Sequence, residues 1–156
     1  MGMAFDGTNI WVANIWVANF LVASVSKIST SNGTLIGSFP VGKHPIGVAY
    51  DSVSAIWVTN SQDGTVSRIS VATGSNLATL TAGDGPAGIV FDGTYIWVGN
   101  TIDGDLSRFL AAGATSSTPG AIVGLNSPGP AIPAGLSFDG VSVWVADEAN
   151  GLVLKR

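Results

Sequence analysis

The sequence predicts an all-β protein built from four-stranded antiparallel units, and three observations lead to this prediction. One pattern recurs four times: an aromatic residue and Asp, a short turn, then a branched residue, Trp, Val, a small residue and Asn or Asp. The stretches between the copies alternate apolar and polar residues, which is typical of strands, and helical periodicity is weak throughout. Glycine and proline, with 21 and 7 residues, fall at intervals as turn residues.

Four short strands fit within each repeat. The tryptophans are 41, 40 and 47 residues apart at Trp16, Trp57, Trp97 and Trp144. The segments "GVAYD" and "AIWVTN" predict the first two strands of the second repeat, and "TVSRIS" and "NLATLTAG" predict the other two. Asp63-Gly64 between them predicts a tight hairpin, because both residue types tolerate positive φ. Four strands in about 40 to 45 residues form a β-propeller blade.

The chain is predicted to be one domain, residues 1–156, with repeats at about 2–44, 45–85, 86–132 and 133–156. The last repeat lacks its fourth strand, so the prediction is about three and three-quarter blades with open sheet edges at both ends. Three arrangements fit: an excerpt of a longer propeller, two copies joined into a ring of roughly eight blades, or a small four-bladed ring with one truncated blade. An excerpt or an oligomer is favoured.

Residues that recur in every repeat are interpreted as structural. The tryptophans are expected to fill the space between blades, with an aromatic ligand platform as the alternative. The aspartates after the aromatic residue are expected to accept backbone N–H bonds in turns. The structural set comprises Trp11, Trp16, Trp57, Trp97, Trp144, Asp6, Asp51, Asp92, Asp139, Gly47, Gly88 and Gly135. A cation follows each of Trp16, Trp57, Trp97 and Trp144 by eleven residues and is expected on an exposed or half-exposed strand face, paired with an acid or a carbonyl.

The stretch "NIWVANIWVAN" repeats five residues in the first unit. Trp11 fits the spacing to the preceding Gly2, whereas Trp16 fits the spacing to the following Lys27. An uninterrupted strand would place the two tryptophans on opposite faces, because five is an odd number. We therefore expect one copy to bulge, loop out or shift the hairpin.

The segments "WVTNSQDGTVSRIS", "PIGVAYD" and "VGKHP" resemble the YVTN/NHL-type β-propeller repeats of bacterial and archaeal proteins. The resemblance is to YncE-like proteins, with a more distant one to virginiamycin B lyase-like propellers, and it covers essentially the whole chain. It implies a propeller fold and an extracellular, periplasmic or cell-surface location. Such repeats occur in surface proteins, binding modules and some enzymes, so the resemblance leaves the function open.

His44, the single histidine, is the one candidate catalytic residue, since a general base near neutral pH needs such a side chain. The lyase resemblance implies a histidine base with a divalent metal, and the alternative for His44 is a variable loop residue. No metal-binding or cofactor-binding residue is assigned. Calcium or another divalent ion is a possible cofactor, because Asn60, Asn100 and Asp147 stand at strand ends, where capping of the strands is the alternative.

Composition excludes several classes of function. The formal net charge is −4, so no basic patch for nucleic acid is expected. The chain has no cysteine, which excludes disulfides and thiolate chemistry. No apolar run is long enough to span a membrane, and the first residues show no signal peptide.

The prediction that follows is a non-catalytic β-propeller acting as an interaction or cell-surface scaffold, which binds a protein partner or self-associates through its open blade edges. The alternative is a fragment of a propeller enzyme, a metal-assisted lyase or lactone hydrolase with its site in the central channel.

Overall fold

The computed structural model describes residues 3–5, 8–13, 22–29, 31–115 and 120–156, and for 3–5 and 9–13 it describes the backbone. The strands of these residues form four sheets in chain order. Blade 1 is β1 (Met3–Phe5), β2 (Asn9–Ala13), β3 (Ser24–Ser29) and β4 (Leu35–Pro40), and blade 2 is β5 (Pro45–Tyr50), β6 (Ala55–Asn60), β7 (Thr65–Ser70) and β8 (Asn76–Thr81). Blade 3 is β9 (Pro86–Phe91), β10 (Tyr95–Asn100), β11 (Asp105–Leu110) and β12 (Ala121–Gly124), and blade 4 is β13 (Pro133–Phe138), β14 (Val143–Asp147) and β15 (Leu152–Lys155).

Each sheet is an antiparallel meander in which neighbouring strands in the chain pair with each other. The first strands of successive blades lie side by side, with β1 against β5, β5 against β9 and β9 against β13. The predicted fold class is confirmed: the described chain is all-β, with three four-stranded blades and a fourth of three strands. No helix that is long and apolar enough to cross a membrane occurs in this part of the chain.

Each blade has two chemically different faces. The tryptophan face carries the repeat tryptophan and the repeat cation, and the aliphatic face is the opposite side of the same sheet. In blade 2 the tryptophan face includes Gly47, Trp57, Val66 and Arg68, and the aliphatic face includes Val48, Ile56, Val58 and Ile69. This division follows from strand geometry, because successive side chains point to opposite sides of a sheet.

The core lies between blades, where one tryptophan face meets the next aliphatic face. Trp57 and Val66 of blade 2 cluster with Ile96, Val98 and Phe109 of blade 3. The same arrangement joins blade 3 to blade 4 through Trp97, Leu106, Val143 and Val145, and it joins blade 1 to blade 2 through Val25, Val48, Ile56 and Val58. Consequently β6 is buried along its whole length, because both of its faces are covered.

The turn between the second and third strands is longer than the sequence suggested. Asn60 pairs with Thr65, so four residues form the connection instead of a two-residue hairpin. Gly64 has φ of +62°, whereas Asp63 is not among the residues at positive φ. The prediction of a tight Asp-Gly hairpin was therefore wrong in its geometry, because only the glycine takes the left-handed conformation that ends a four-residue loop.

The doubled stretch of blade 1 is described for its first copy. β2 contains Trp11 and pairs with β3 so that Trp11 lies opposite Lys27. Trp57 lies opposite Arg68 in the same way, although the sequence spacing had matched Lys27 to Trp16. The second copy, including Trp16, lies outside the described residues, as do Gly2 and Asp6.

Two glycines allow the inner strands of neighbouring blades to approach closely. A Cβ atom at Gly47 would collide with the carbonyl oxygen of Ala87, and one at Gly88 would lie 2.5 Å from the carbonyl oxygen of Ala134. Thr59 completes this junction, since its hydroxyl accepts from the N–H of Gly47 and donates to the Ala87 carbonyl at 2.9 Å. The Pro-x-Gly segment therefore sets the distance between blades 2 and 3.

Gly47→Val should lower the stability of the protein by about 1–3 kcal/mol, because the added side chain meets backbone and not a flexible neighbour. Urea unfolding followed by circular dichroism measures this change. Gly124→Val is the matched control, since nothing lies within 4 Å of a Cβ atom at Gly124. Equal stability of the two variants would contradict the close approach of blades 2 and 3.

Candidate functional site

The strand ends form two loop surfaces with different composition. The first surface holds the connections between blades and the turns after the second strand of each blade, and it carries His44 and most of the described acids. These acids are Asp63, Asp84, Asp103, Asp147 and Glu148, beside the cation Lys43. The opposite surface holds the turns that begin with Asp51, Asp92 and Asp139. The polar groups of both surfaces are therefore placed by the repeat.

On the opposite surface the repeat builds an Asp–Trp–cation unit in each of blades 2 to 4. In blade 3, Asp92 Oδ1 accepts the backbone N–H groups of Thr94 and Tyr95, and Asp92 Oδ2 accepts the indole N–H of Trp97 at 2.6 Å. The guanidinium of Arg108 lies 5.2 Å from the centroid of the Trp97 ring. One carboxylate thus closes the turn and orients the tryptophan, while the cation covers the ring face.

The other two units vary this geometry. In blade 2 the indole of Trp57 donates to Asp51 at 3.4 Å, and Arg68 lies 4.0 Å from the same carboxylate. In blade 4 Trp144 donates to Asp139 at 2.6 Å, with the ammonium of Lys155 at 5.5 Å from the ring. The unit comprises Asp51, Trp57 and Arg68; Asp92, Trp97 and Arg108; and Asp139, Trp144 and Lys155.

These contacts change the pKa of the carboxyls. The indole N–H of Trp144, with the backbone N–H groups of Ser142 and Val141, lowers the pKa of Asp139 to about 2. Burial alone raises the pKa of Asp92, but the N–H groups of Tyr95 and Trp97 outweigh it, so the pKa of Asp92 lies below its usual value. Both carboxyls are therefore held in the charged, hydrogen-bond-accepting form.

His44 lies in the connection between blades 1 and 2, immediately before β5. Its φ is +51°, a left-handed conformation, and its carbonyl accepts the backbone N–H of Ser61 at 2.9 Å. Gly85 occupies the equivalent place in blade 3, with φ of +67° and the equivalent bond from Thr101. The connection that enters blade 2 therefore has a histidine in a backbone conformation that glycine adopts without strain.

Three acids on the same loop surface as His44 hold the connections between blades. Asp63 accepts the backbone N–H of Lys43 at 2.8 Å, and Asp103 accepts that of Asp84 at 2.7 Å. Asp147 takes a related position in blade 4, where the hydroxyl of Ser127 lowers its pKa to about 2. Each of these carboxylates accepts hydrogen bonds from its own loop surface.

Strand-end amides take part in the same network. The Nδ2 group of Asn60 donates to Thr65 and Ser67, and that of Asn100 donates to Asp105 and Ser107. Within the described residues, no three His, Asp or Glu side chains converge closely enough to hold a metal ion. The described surroundings of His44 therefore lack the set of three such side chains that would fit the divalent metal implied by the lyase resemblance.

A cavity of about 220 Å³ opens between blades 2 and 3 on the surface opposite to His44. Apolar groups from Val53, Phe91 and Leu110 line most of it, and Arg68 and Asp51 border it. The cavity can accept a small apolar group beside a guanidinium.

The tryptophan face of blade 4 is uncovered. Trp57 is 0% exposed and Trp97 is 8% exposed, whereas Trp144 is 37% exposed in the same repeat position. Val153, which lies beside Trp144 on the next strand, is 68% exposed. We call this surface the terminal face; it consists of Gly135, Ser137, Trp144, Ala146, Val153 and Lys155.

The structure brings together some of the sequence-derived candidates and separates others. Asp51, Asp92 and Asp139 contact the tryptophans of their own repeats, and His44 lies on the other loop surface. Sequence reasoning missed the contacts of Arg68, Arg108 and Lys155 with the indole rings of their own blades. In blades 2 to 4 the cation follows the tryptophan by eleven residues, and this spacing places the two residues directly opposite each other on paired strands. The contact could have been predicted from this spacing.

Comparisons with known proteins give the fold and no family. No protein-family model and no curated protein sequence matches the chain. A catalytically inactive histidine-to-alanine variant of virginiamycin B lyase from Staphylococcus aureus, solved with quinupristin, resembles it with a TM-score of 0.74 and 17% identity, over 95% of this chain and 48% of that chain. The computationally designed protein Ika4 resembles it with a TM-score of 0.75 and 14% identity, over 99% of this chain and 88% of that one.

A nidogen/laminin complex contains a further similar chain, with a TM-score of 0.73 and 20% identity, over 94% of this chain and 56% of that one. The present chain spans about half the length of the lyase chains that it resembles. At these identities the likeness concerns the fold alone. The chain is therefore a set of β-propeller blades, in agreement with the prediction from its repeats.

Acid should weaken the folded state through Asp139. Its pKa is about 2 in the folded chain against an ordinary value of 3.8, so its contribution is complete above pH 4 and is lost as pH falls towards 2. Urea midpoints of wild type and Asp139→Asn, measured from pH 6 to about pH 2, should converge at the acid end. Glu148→Gln is the control for removing one exposed negative charge, and a constant gap between wild type and Asp139→Asn would contradict the prediction.

His44→Gly should raise the stability by up to about 1 kcal/mol, because glycine adopts the left-handed conformation without the steric cost of a Cβ atom. Thermal unfolding measures the change. His44→Ala keeps the Cβ atom and is the control that separates loss of the imidazole from relief of the backbone strain. Destabilisation by glycine and alanine alike would indicate that the imidazole itself holds the connection.

Proposed function

We propose that the chain is a non-catalytic propeller module that acts by contact with a protein, at or outside the cell surface. The observation that carries this proposal is the terminal face, an apolar sheet face around Trp144 whose counterparts in blades 2 and 3 are covered by another blade. Soluble proteins seldom expose such a face without a partner. The terminal face is thus the surface that a partner would cover.

The polar residues support the same proposal. A catalytic carboxylate must reach a substrate, but Asp51, Asp92 and Asp139 are occupied by turn N–H groups and indoles. Asp63 and Asp103 are occupied in the same way by backbone N–H groups of the blade connections. These bonds favour a role for the repeated acids in holding loops over a role in acid–base chemistry.

A chain of similar fold occurs in an assembly of proteins. One similar chain comes from a complex of nidogen with laminin, which is an assembly of two proteins. A location outside the cytoplasm and a YncE-like assignment rest on the resemblance of "WVTNSQDGTVSRIS" to YVTN-type repeats. Both belong to this proposal and agree with a propeller that presents its surfaces to other proteins.

A second candidate function is a propeller lyase or lactone hydrolase. His44 favours it, because blade 2 retains a histidine at a left-handed position where blade 3 has Gly85. Virginiamycin B lyase and streptogramin B lyase also resemble the chain in fold. In this candidate, His44 would be the general base, and other blades would supply the remaining groups.

A turnover assay separates the two candidates. The purified chain is incubated with quinupristin, with and without a divalent cation, and conversion of quinupristin is followed by liquid chromatography with tandem mass spectrometry, which distinguishes products of unchanged mass. We expect no turnover above the rate without protein. Turnover that is lost in His44→Ala and retained in Lys43→Ala would overturn the non-catalytic proposal.

A further inference from the structure

The three described junctions between blades follow one rule, and this rule specifies what fits the terminal face. A tryptophan face always meets residues at the positions of Ile56 and Val58 in the following blade. These positions hold Ile96 and Val98 at the second junction, and Val143 and Val145 at the third. At the second junction the Trp57 and Phe109 rings also lie 6.3 Å apart. The terminal face therefore fits a branched aliphatic strand flanked by an apolar neighbour.

The terminal face is also shaped for close approach by a backbone. Gly135 occupies the position of Gly47 and Gly88, where the following blade presses a carbonyl oxygen against the glycine. At Gly135, by contrast, a Cβ atom would meet only the Cβ of Ala146, at 3.6 Å. The space that a following blade fills at the other junctions is open beside blade 4.

Blade 1 has the strand positions that pack against a tryptophan face at the other junctions between blades. Its register places Ile10 opposite Phe5 and Ile28, just as Ile56 lies opposite Tyr50 and Ile69 in blade 2. Val12 likewise lies opposite Ser26, as Val58 lies opposite Ser67. The strand positions of Ile10 and Val12 thus correspond to those that cover a tryptophan in the next blade.

Ile28 indicates that this half is uncovered. Its counterparts are fully packed, with Ile69 at 0% and Phe109 at 2% exposure, whereas Ile28 is only half-buried. Within the described strands, extensive packing joins blade 1 to blade 2, blade 2 to blade 3 and blade 3 to blade 4, and none joins blade 4 back to blade 1. The two unpaired faces therefore lie at opposite ends of one open arc.

The position of Lys155 in blade 4 also fits a junction between the terminal face and a following blade. Lys155 lies opposite Trp144, in the position that Lys27 holds opposite Trp11. At the first junction the ammonium of Lys27 donates to the carbonyl of Val71 in the following blade, at 2.7 Å. A lysine at the terminal face can donate to a following blade in the same manner.

We propose that the terminal face of one chain binds the aliphatic face of blade 1 in a second copy, and that two chains close head to tail into one ring. Both junctions of such a ring are identical, so two copies leave no face of this kind uncovered. The ring contains eight blades, within the usual range of about four to eight. The proposal deepens the proposed function, on which it rests, by naming a second copy as the partner.

The mass in solution tests the proposal. Light scattering after size exclusion should give twice the chain mass of 15.8 kDa. Gly135→Val fills the space reserved for the second copy, and it should raise the dissociation constant by at least about thirtyfold. Gly124→Val is the matched control and should remain dimeric, since nothing lies within 4 Å of that position. Val153→Lys provides a second variant of the terminal face, and circular dichroism verifies that each variant folds.

Mixing variants tests the head-to-tail geometry. Ile28→Lys blocks blade 1, so this variant and Gly135→Val should each be monomeric alone. A mixture of the two should form a heterodimer, because one intact terminal face meets one intact blade 1. A dimer that survives Ile28→Lys, or a mixture that stays monomeric while both variants are folded, would overturn the proposal in favour of another contact.

A monomeric wild-type chain across the micromolar range would also overturn the proposal, and it would assign the terminal face to a different partner or to a further blade of a longer chain. That outcome leaves the non-catalytic role intact, since turnover of quinupristin tests that role independently. Turnover of quinupristin by a dimeric chain would contradict the proposed non-catalytic function and would still support the two-chain ring.

Discussion

The contact between the tryptophan face of one blade and the aliphatic face of the next is the interaction on which the rest of the structure depends. A single four-stranded sheet has two apolar faces and no core of its own, so it is stable only when neighbouring sheets cover both. Trp57 supplies the largest side chain at such a junction, and Ile96 and Val98 supply the surface against which it packs. Stability therefore resides between repeats and not within them.

This dependence explains the other features that recur. A glycine is required at Gly47 because the sheets approach closely enough for backbone to contact backbone. The aspartate of the turn that precedes the tryptophan strand accepts the indole N–H and holds the ring from one side, and the cation covers the ring from the neighbouring strand. The repeated aspartate and cation thus orient the tryptophan that packs at the junction. Surfaces that differ between blades are therefore the better candidates for a functional role.

The differences between blades are concentrated at the ends of the arc and in one connection. The terminal face around Trp144 lacks the cover that Trp57 and Trp97 have, and His44 stands where another blade has glycine. The first feature favours assembly, and the second is the feature that favours the catalytic candidate. The two features lie on different surfaces, so experiments can address them separately.

Much of the architecture was predictable from the repeat. The alternation of "TVSRIS" identified a strand, and the constant distance between tryptophan and cation anticipated the register of the second and third strands. Other features were hidden. The Asp63-Gly64 turn turned out to be a four-residue loop, and Lys27 lies opposite Trp11 although its spacing matched Trp16. Loop length and strand register depend on pairing across the sheet, which a residue pattern constrains only in part.

The sequence by itself determined the strands, the places of the turns and the number of repeats, because these depend on residues close together in the chain. The tertiary structure alone decided which tryptophan is covered. Trp57, Trp97 and Trp144 share one local pattern, yet their exposed fractions are 0%, 8% and 37%. Burial depends on whether another sheet lies against the face, and no residue within the repeat encodes that neighbour. The left-handed backbone at His44 has the same origin, because it follows from the way the connection meets the turn at Ser61.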